Sequence, residues 1–98
     1  MRVEVRDDRE RHRFEAIDGD RRAGMLVYSE RDGARVLVHT EVDPDYEGQG
    51  IAGALAQYAL DDARSRGLGV VPRCAFVQAY LARHPDYADL VVPDPAAT

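Results

Sequence analysis

The stretch Glu47-Gly48-Gln49-Gly50-Ile51-Ala52-Gly53 decides how this chain is read, because the hydrophobic period changes across it. Before it, short runs alternate with period two. After it, from Gly50 to Arg66, small and apolar residues recur at helical spacing. Ala52, Ala56, Ala59 and Ala63 make a small-residue stripe that lets a helix lie close on a sheet, and Ile51, Leu55 and Tyr58 widen it. Gln57, Asp61, Asp62, Arg64 and Arg66 fall on the wet side, and Gly67 is placed to cap the C-terminus. A glycine-rich turn that opens a helix presents unpaired N–H groups at the positive end of the helix dipole. Missing side chains let a ligand approach and permit unusual backbone angles. The combination is a cradle for a pyrophosphate. It is equally a turn whose glycines serve only tight bending and close packing.

Upstream, residues 2–7 alternate weakly, as an edge strand. Residues 11–18 alternate better, with His12, Phe14 and Ala16 on one face, and Gly19-Asp20 reads as a tight turn. Residues 22–30 are apolar on both faces, as in a central strand. Asp32-Gly33 is a second hairpin signal, and residues 34–42 follow. Strict alternation there puts Val36, Val38, Thr40 and Val42 on one face and Leu37, His39 and Glu41 on the other. Asp43-Pro44-Asp45 ends that strand. Downstream, Val70-Val71 reads as a short buried strand closed by Pro72. Residues 75–84 form a second amphipathic helix with Phe76, Val77, Tyr80 and Leu81 inward, stopped by His84-Pro85. Tyr87, Leu90, Val91 and Val92 suggest a last short strand. The order predicts an α+β (mixed α/β) fold: an antiparallel meander, a helix, a short parallel strand and a second helix. One domain is expected over residues 1–92, with a loose tail over 93–98.

Composition narrows the function. The 98 residues suffice for one modest core, and 45% apolar content fits a globular chain. The formal net charge is −5 and the pI about 5.0. Nucleic-acid binding calls for a basic stripe, and none is visible. Arg9, Arg11, Arg13, Arg21 and Arg22 are interleaved with acids and read as solvated strand positions. The acidic excess mildly favours a cationic partner such as an amine. Cys74 is the single cysteine, so no intrachain disulfide is available. The start of the chain lacks a signal-peptide pattern, and no segment approaches the ~20 apolar residues of a membrane span. A cytoplasmic protein without membrane partner is expected. Oligomeric state is left open.

Three nucleotide motifs compete for the loop. Gly48, Gly50 and Gly53 satisfy G-x-G-x-x-G, but hairpin strands precede them, and Val70-Val71-Pro72 carries no acidic ribose ligand. A P-loop needs Gly-Lys before Ser or Thr at the helix start, and Gly50-Ile51 is not that. The third fits best. Glu47-Gly48-Gln49-Gly50-Ile51-Ala52 resembles motif A of the GNAT superfamily of N-acetyltransferases (Arg/Gln-x-x-Gly-x-Gly/Ala), departing from it only at Glu47. His39-Thr40-Glu41-Val42, Pro72-Arg73-Cys74-Ala75-Phe76 and His84-Pro85-Asp86-Tyr87 look like the compact YjdJ-type subgroup. The resemblance runs from about Phe14 to Val91.

The resemblance implies a GNAT-like fold in which the fourth strand splays from the fifth. It implies that the main chain around Val42 pairs with the pantetheine arm of acetyl-coenzyme A. The amides of Gly48, Gln49, Gly50, Ile51 and Ala52, with Gly53 beside them, would then hold the diphosphate. Glu47 adds a negative charge near that group. The family reaction is direct attack of an amine on the thioester, which needs a free amine, a stabilised oxyanion and a proton for the leaving thiolate. Tyr80 sits about where family members carry a tyrosine thought to give that proton, although it also reads as core. Glu41 and His39 share a strand face near the splay and are candidate proton acceptors, Glu41 first. Cys74 matches a cysteine of the YjdJ-type pattern. At a helix start its thiolate would be favoured and an acetyl-cysteine route conceivable, against a buried structural thiol. His12 and His84 receive no role, and no residue set has metal-ligand spacing.

Family members usually carry two helices between their first two strands, walling the acceptor site. Asp8-Arg9-Glu10 leaves no room for them. An open acceptor site follows, suited to an amine on a protein or peptide. The expectation is an acetyl-CoA-dependent N-acetyltransferase. Its rivals are a non-catalytic acyl-CoA-binding or regulatory module, and a protein-interaction domain with a structural glycine loop.

Overall fold

Two short turns build the front of the sheet. Strands β2 (Arg13–Asp18) and β3 (Arg21–Arg31) meet across Gly19-Asp20, with Gly19 at φ 63°. Strands β3 and β4 (Ala34–Val42) meet across Asp32-Gly33, where both residues have positive φ, 51° and 78°. That twist matches the twist of the flanking strands, which is why Asp-Gly is favoured there. With β1 (Glu4–Asp8) ahead of them and β5 (Gly69–Pro72) behind, they form one five-stranded sheet in the order β1-β2-β3-β4-β5. The pairing is antiparallel except for β4 and β5, which run parallel. This is a computed structural model, and it describes residues 3–95.

Helix α1 (Ile51–Ser65) crosses back between β4 and β5, and α2 (Ala75–Arg83) follows β5. The alanine stripe does what its spacing requires. Ala56, Ala59 and Ala63 are fully buried, together with Leu55 and Leu60. Gly24 is the sheet's side of this close approach. A Cβ there would come within 2.8 Å of the Glu41 carbonyl oxygen and 2.9 Å of Ile51 Cγ2. Gly67 (φ 69°) ends α1, and Leu68 N–H returns to the Ala63 carbonyl at 2.9 Å.

Three features depart from the sequence reading. The expected last strand over residues 87–92 is a 3-10 turn, Pro85–Leu90, followed by a single parallel bridge between Val70 and Val91. His84-Pro85 forces that turn, and Tyr87 and Leu90 are buried as its inward face. Second, β4 does not alternate throughout. Tyr28 pairs with Leu37 but Val27 pairs with His39, so Val38 stands opposite no residue of β3. This bulge breaks the face assignment made from strict period two. Leu37, Thr40 and Val42 face the helices, while Val36, His39 and Glu41 face the other way. Third, within α2 only Val77 is buried; Phe76, Tyr80 and Leu81 are half-buried. Of the tail expected over 93–98, residues 96–98 lie outside the described residues. Asp94 takes a two-point contact from the Arg73 guanidinium, at 2.7 and 2.9 Å.

Candidate functional site

The site begins where β4 and β5 part. They pair from Ala34 with Gly69 to Leu37 with Pro72. There the Leu37 carbonyl accepts the N–H groups of both Arg73 (3.0 Å) and Cys74 (2.9 Å), and the chain turns into α2. Beyond Leu37, β4 has β3 on one side and, among the described residues, no strand on the other. Asp43 N–H donates to the Ala23 carbonyl at 2.8 Å. Period two then turns the main-chain groups of Glu41 toward β3, and those of Thr40 and Val42 toward the open side. The inner end of the wedge is closed by Cys74, whose Sγ lies 3.2 Å from Thr40 Oγ1; the thiol is buried, 6% exposed.

The open edge leads to a pocket of about 410 Å³ between the start of α1 and one face of α2. Val42, Tyr46, Glu47, Gly48 and Gly50 line it on one side, with Ile51, Ala52 and Gly53 at the helix start. Phe76, Tyr80, Arg83 and His84 line it from α2. Gly48 and Gly50 both have φ 77°, the left-handed region that other residues avoid, and a Cβ at either would touch nothing in the protein. Gly50 is the N-cap of α1, and no side chain caps the helix. The first main-chain bond of α1 runs from Ala54 N–H to the Gly50 carbonyl, 3.0 Å. Among the described residues, no acceptor takes the N–H of any residue from Gly48 to Gly53. That run of open donors faces a pocket at the positive end of a fifteen-residue helix. The Gln49 side chain turns back to the Asp45 carbonyl (3.4 Å), and Glu47 is exposed at the pocket's edge.

Tyr80 lies close against the start of α1 at Gly53, whose added Cβ would lie 3.9 Å from its ring. The ring stacks on His84, 4.0 Å between centroids and 22° between planes. Three other tyrosine hydroxyls donate to carboxylates: Tyr28 to Asp7, Tyr46 to Asp18 and Tyr87 to Asp61. The Tyr80 hydroxyl has no protein partner among the described residues. Burial, and the negative charges of Asp61 and Asp86, push its pKa above the ordinary tyrosine value. It therefore keeps its proton through the neutral range.

His39 and Glu41 do not join this pocket. They lie on the opposite face of β4, both exposed, with His39 Nε2 3.4 Å from Glu41 Oε2. Glu41 borders a smaller hollow of about 170 Å³ with Met25, Arg22 and Asp43. Val42 lines both cavities and is the wall between them. The connection between β1 and β2 is four residues, Arg9 to His12, and puts nothing over that face. Among the described residues, no set of three or more His, Cys, Asp or Glu side chains is placed to hold a metal ion. Among the described residues, no helix is long and apolar enough to cross a membrane.

The sequence reading therefore divides in space. Val42, Gly48, Gly50, Ile51, Ala52, Gly53 and Tyr80 come together, with Gln49 alongside. Cys74 lies at the inner end, and His39 and Glu41 behind the strand. Arg83 and His84 were missed as pocket residues. The signal was present, since 76, 80 and 83–84 recur on one face of α2.

A family model of the GCN5-related N-acetyl-transferases matches residues 13–90. The Gallus gallus protein called Protein NATD1 is 36% identical over 86 residues, which span 85% of this chain and 77% of that protein. In fold, the chain is similar to a GCN5-like protein of Staphylococcus aureus, with a TM-score of 0.70 and 21% identity over 96% of this chain and 92% of that one. It is also similar to a ribosomal-protein-alanine N-acetyltransferase of Brucella melitensis, with a TM-score of 0.57 and 20% identity over 88% of this chain and 64% of that one.

Proposed function

The chain belongs to the GCN5-related N-acetyltransferase family, and from that premise we propose that it moves acetyl from acetyl-coenzyme A to an amine by direct attack. The observation that carries the reading is the run of unpaired N–H groups from Gly48 to Gly53, opening onto a pocket beside the free edge of β4. These donors match a diphosphate in charge and form. The outward main-chain groups of Thr40 and Val42 match the amides of a pantetheine arm, as a strand would. No acetyl-CoA geometry is needed for this assignment beyond the order of the parts along the pocket.

In the proposed reaction the amine nitrogen bonds to the acetyl carbonyl carbon and the carbon–sulfur bond breaks. Tyr80 gives its proton to the departing thiolate, a role supported by a hydroxyl that stays protonated and has no protein partner among the described residues. Glu41, with His39 beside it, takes the proton that the amine loses, from the far face of β4. Donor and acceptor would thus approach the strand from opposite faces. The burial of Cys74 and its contact with Thr40 favour direct attack over an acetyl-cysteine route. The short β1–β2 connection supports the compact YjdJ-type assignment and an acceptor carried on a protein or peptide. A cytoplasmic location belongs to the same reading, since acetyl-CoA must be at hand.

The test is a calorimetric titration with coenzyme A and acetyl-CoA, run on the parent and on Gly50→Glu. The parent is expected to bind both. The variant, with a carboxylate pushed into the cradle from a left-handed position, is expected to lose at least roughly 100-fold in affinity. Unchanged affinity in Gly50→Glu would remove the loop from the site. Two observations favour a second reading, an acyl-CoA binder that does not transfer: Glu47 and the unwalled acceptor face weaken both halves of a catalytic site. Transfer to a panel of peptides and polyamines separates the two.

A further inference from the structure

Arginine in this protein is nearly always neutralised. Arg6, Arg9, Arg11, Arg13, Arg21, Arg22, Arg35, Arg64, Arg66 and Arg73 are each in ion-pair contact with a carboxylate. Among the described residues, Arg31 and Arg83 are the exceptions. Arg31 sits in the Asp32-Gly33 hairpin, away from any cavity already described. Arg83 lines the pocket that holds the open N–H run. In a chain of net charge −5, rich in carboxylates, an arginine left without one inside a pocket points to an anion that comes from outside.

Which anion follows from the order of residues along α2. The helix starts at Cys74, against Thr40 at the inner end of the wedge. Tyr80 faces Gly53 about midway, and Arg83 is the last helical residue, one turn farther out. Coenzyme A has the same polarity: the thiol at one end, the diphosphate in the middle, and the ribose 3′-phosphate at the other. With the diphosphate on the Gly48–Ala52 amides and the thioester inward of it, between Tyr80 and the wedge, the remaining phosphate falls toward the outer end of α2. Helix C-terminal carbonyls repel an anion there, so a cation is required to hold one. A phosphate monoester carries close to two negative charges at neutral pH, and a guanidinium fork can grip it at two points.

We propose that Arg83 binds the 3′-phosphate of coenzyme A and sets the preference for coenzyme A over carriers that lack it. The inference rests on the coenzyme A reading of the pocket and adds the residue that reads the nucleotide end. His84 is not needed for this contact, because its ring is committed to Tyr80. Arg83 is exposed and holds no protein partner among the described residues, so replacing it leaves the fold's contacts in place.

The experiment is isothermal titration of coenzyme A and 3′-dephospho-coenzyme A into the parent, Arg83→Gln and Arg83→Lys. The parent is expected to bind coenzyme A roughly tenfold more tightly than the dephospho form. Arg83→Gln should erase that gap by weakening coenzyme A alone, and Arg83→Lys should keep part of it. A parent that binds both ligands equally overturns the proposal and leaves the coenzyme A site standing. Equal weakening of both ligands in Arg83→Gln and Arg83→Lys also overturns it, since the arginine would then be reading the diphosphate. A parent that binds neither ligand takes down the pocket assignment and this inference together.

Discussion

The two halves of β4 are one strand with two opposite constructions. From Ala34 to Leu37 it is paired on both edges and fully enclosed. Arg35 is fully buried there, its guanidinium 2.8 Å from both Glu30 and Asp62 and 5.0 Å from the ring centroids of Phe14 and Tyr28. From Val38 to Val42 the strand keeps only β3, and Val38, His39 and Glu41 are exposed. The bulge at Val38 marks the change. A strand edge without a partner is a liability in a sheet. Here the enclosed half holds that edge in a fixed direction, so its main-chain donors and acceptors stand ready at no further ordering cost when a ligand arrives. On the proposed function, stability and binding fall in different halves of the strand, and substitutions can separate them.

The largest effect is expected from breaking the enclosed half. Arg35→Ala leaves Glu30 and Asp62 without their shared cation and opens a void beside the Phe14 and Tyr28 rings. The expected loss is about 3–5 kcal/mol in urea unfolding, a large share of a small domain's stability. A loss under about 1 kcal/mol would mean that the first half of β4 is not what anchors the second.

Tyr80→Phe addresses the open half alone. No hydrogen bond is lost, so the urea midpoint should hardly move, by less than about 0.5 kcal/mol. Turnover with the best amine acceptor should fall roughly 10- to 100-fold, the range of a removed general acid. Full turnover would take the proton-donor role from Tyr80 and return it to the core.

The same division explains what the residues disclosed in advance. The enclosed framework was legible because it obeys period: Asp32-Gly33 for the hairpin, the alanine stripe for α1, Gly67 for its end. The turn into α1 was legible because Gly48 and Gly50 break propensity rules at a helix start. What escaped was set by partners far away in sequence. The Val38 bulge depends on how β3 twists against β4, and it reversed the faces of Thr40 and Val42 relative to Val36. Arg35 looked like any charged strand residue, since nothing local announces Asp62, 27 positions away. The run from Tyr87 to Val92 has the apolar content of a strand, but His84-Pro85 shortens the space in which one could form. The place of Arg83 on the face of Phe76 and Tyr80 was legible, but its lack of a carboxylate partner was not, because the partners of the other arginines are set by the fold.

The smallest expected effect is a pH dependence that belongs to the enclosed half. Burial of Asp62 opposes its ionisation, but the bonds from Arg35 and Arg66 outweigh that, and its pKa is lowered from the usual carboxylate value. A carboxylate more acidic in the folded than in the unfolded chain stabilises the fold fully only above its unfolded value, about 4. That contribution is lost as pH falls through the lower folded value. The parent should therefore lose stability between pH 5 and roughly pH 3, and Asp62→Asn should lose less over the same interval, by about 1 kcal/mol. The other aspartates with lowered pKa, Asp8, Asp43 and Asp89, are common to both proteins and cancel in the difference. Coenzyme A affinity, measured across the same interval for both proteins, should follow the fraction folded and nothing else, because no part of Asp62 reaches the pocket. Parallel stability curves would show that Arg35 is neutralised chiefly by Glu30, and that the cation is held from the hairpin side of the sheet rather than from α1.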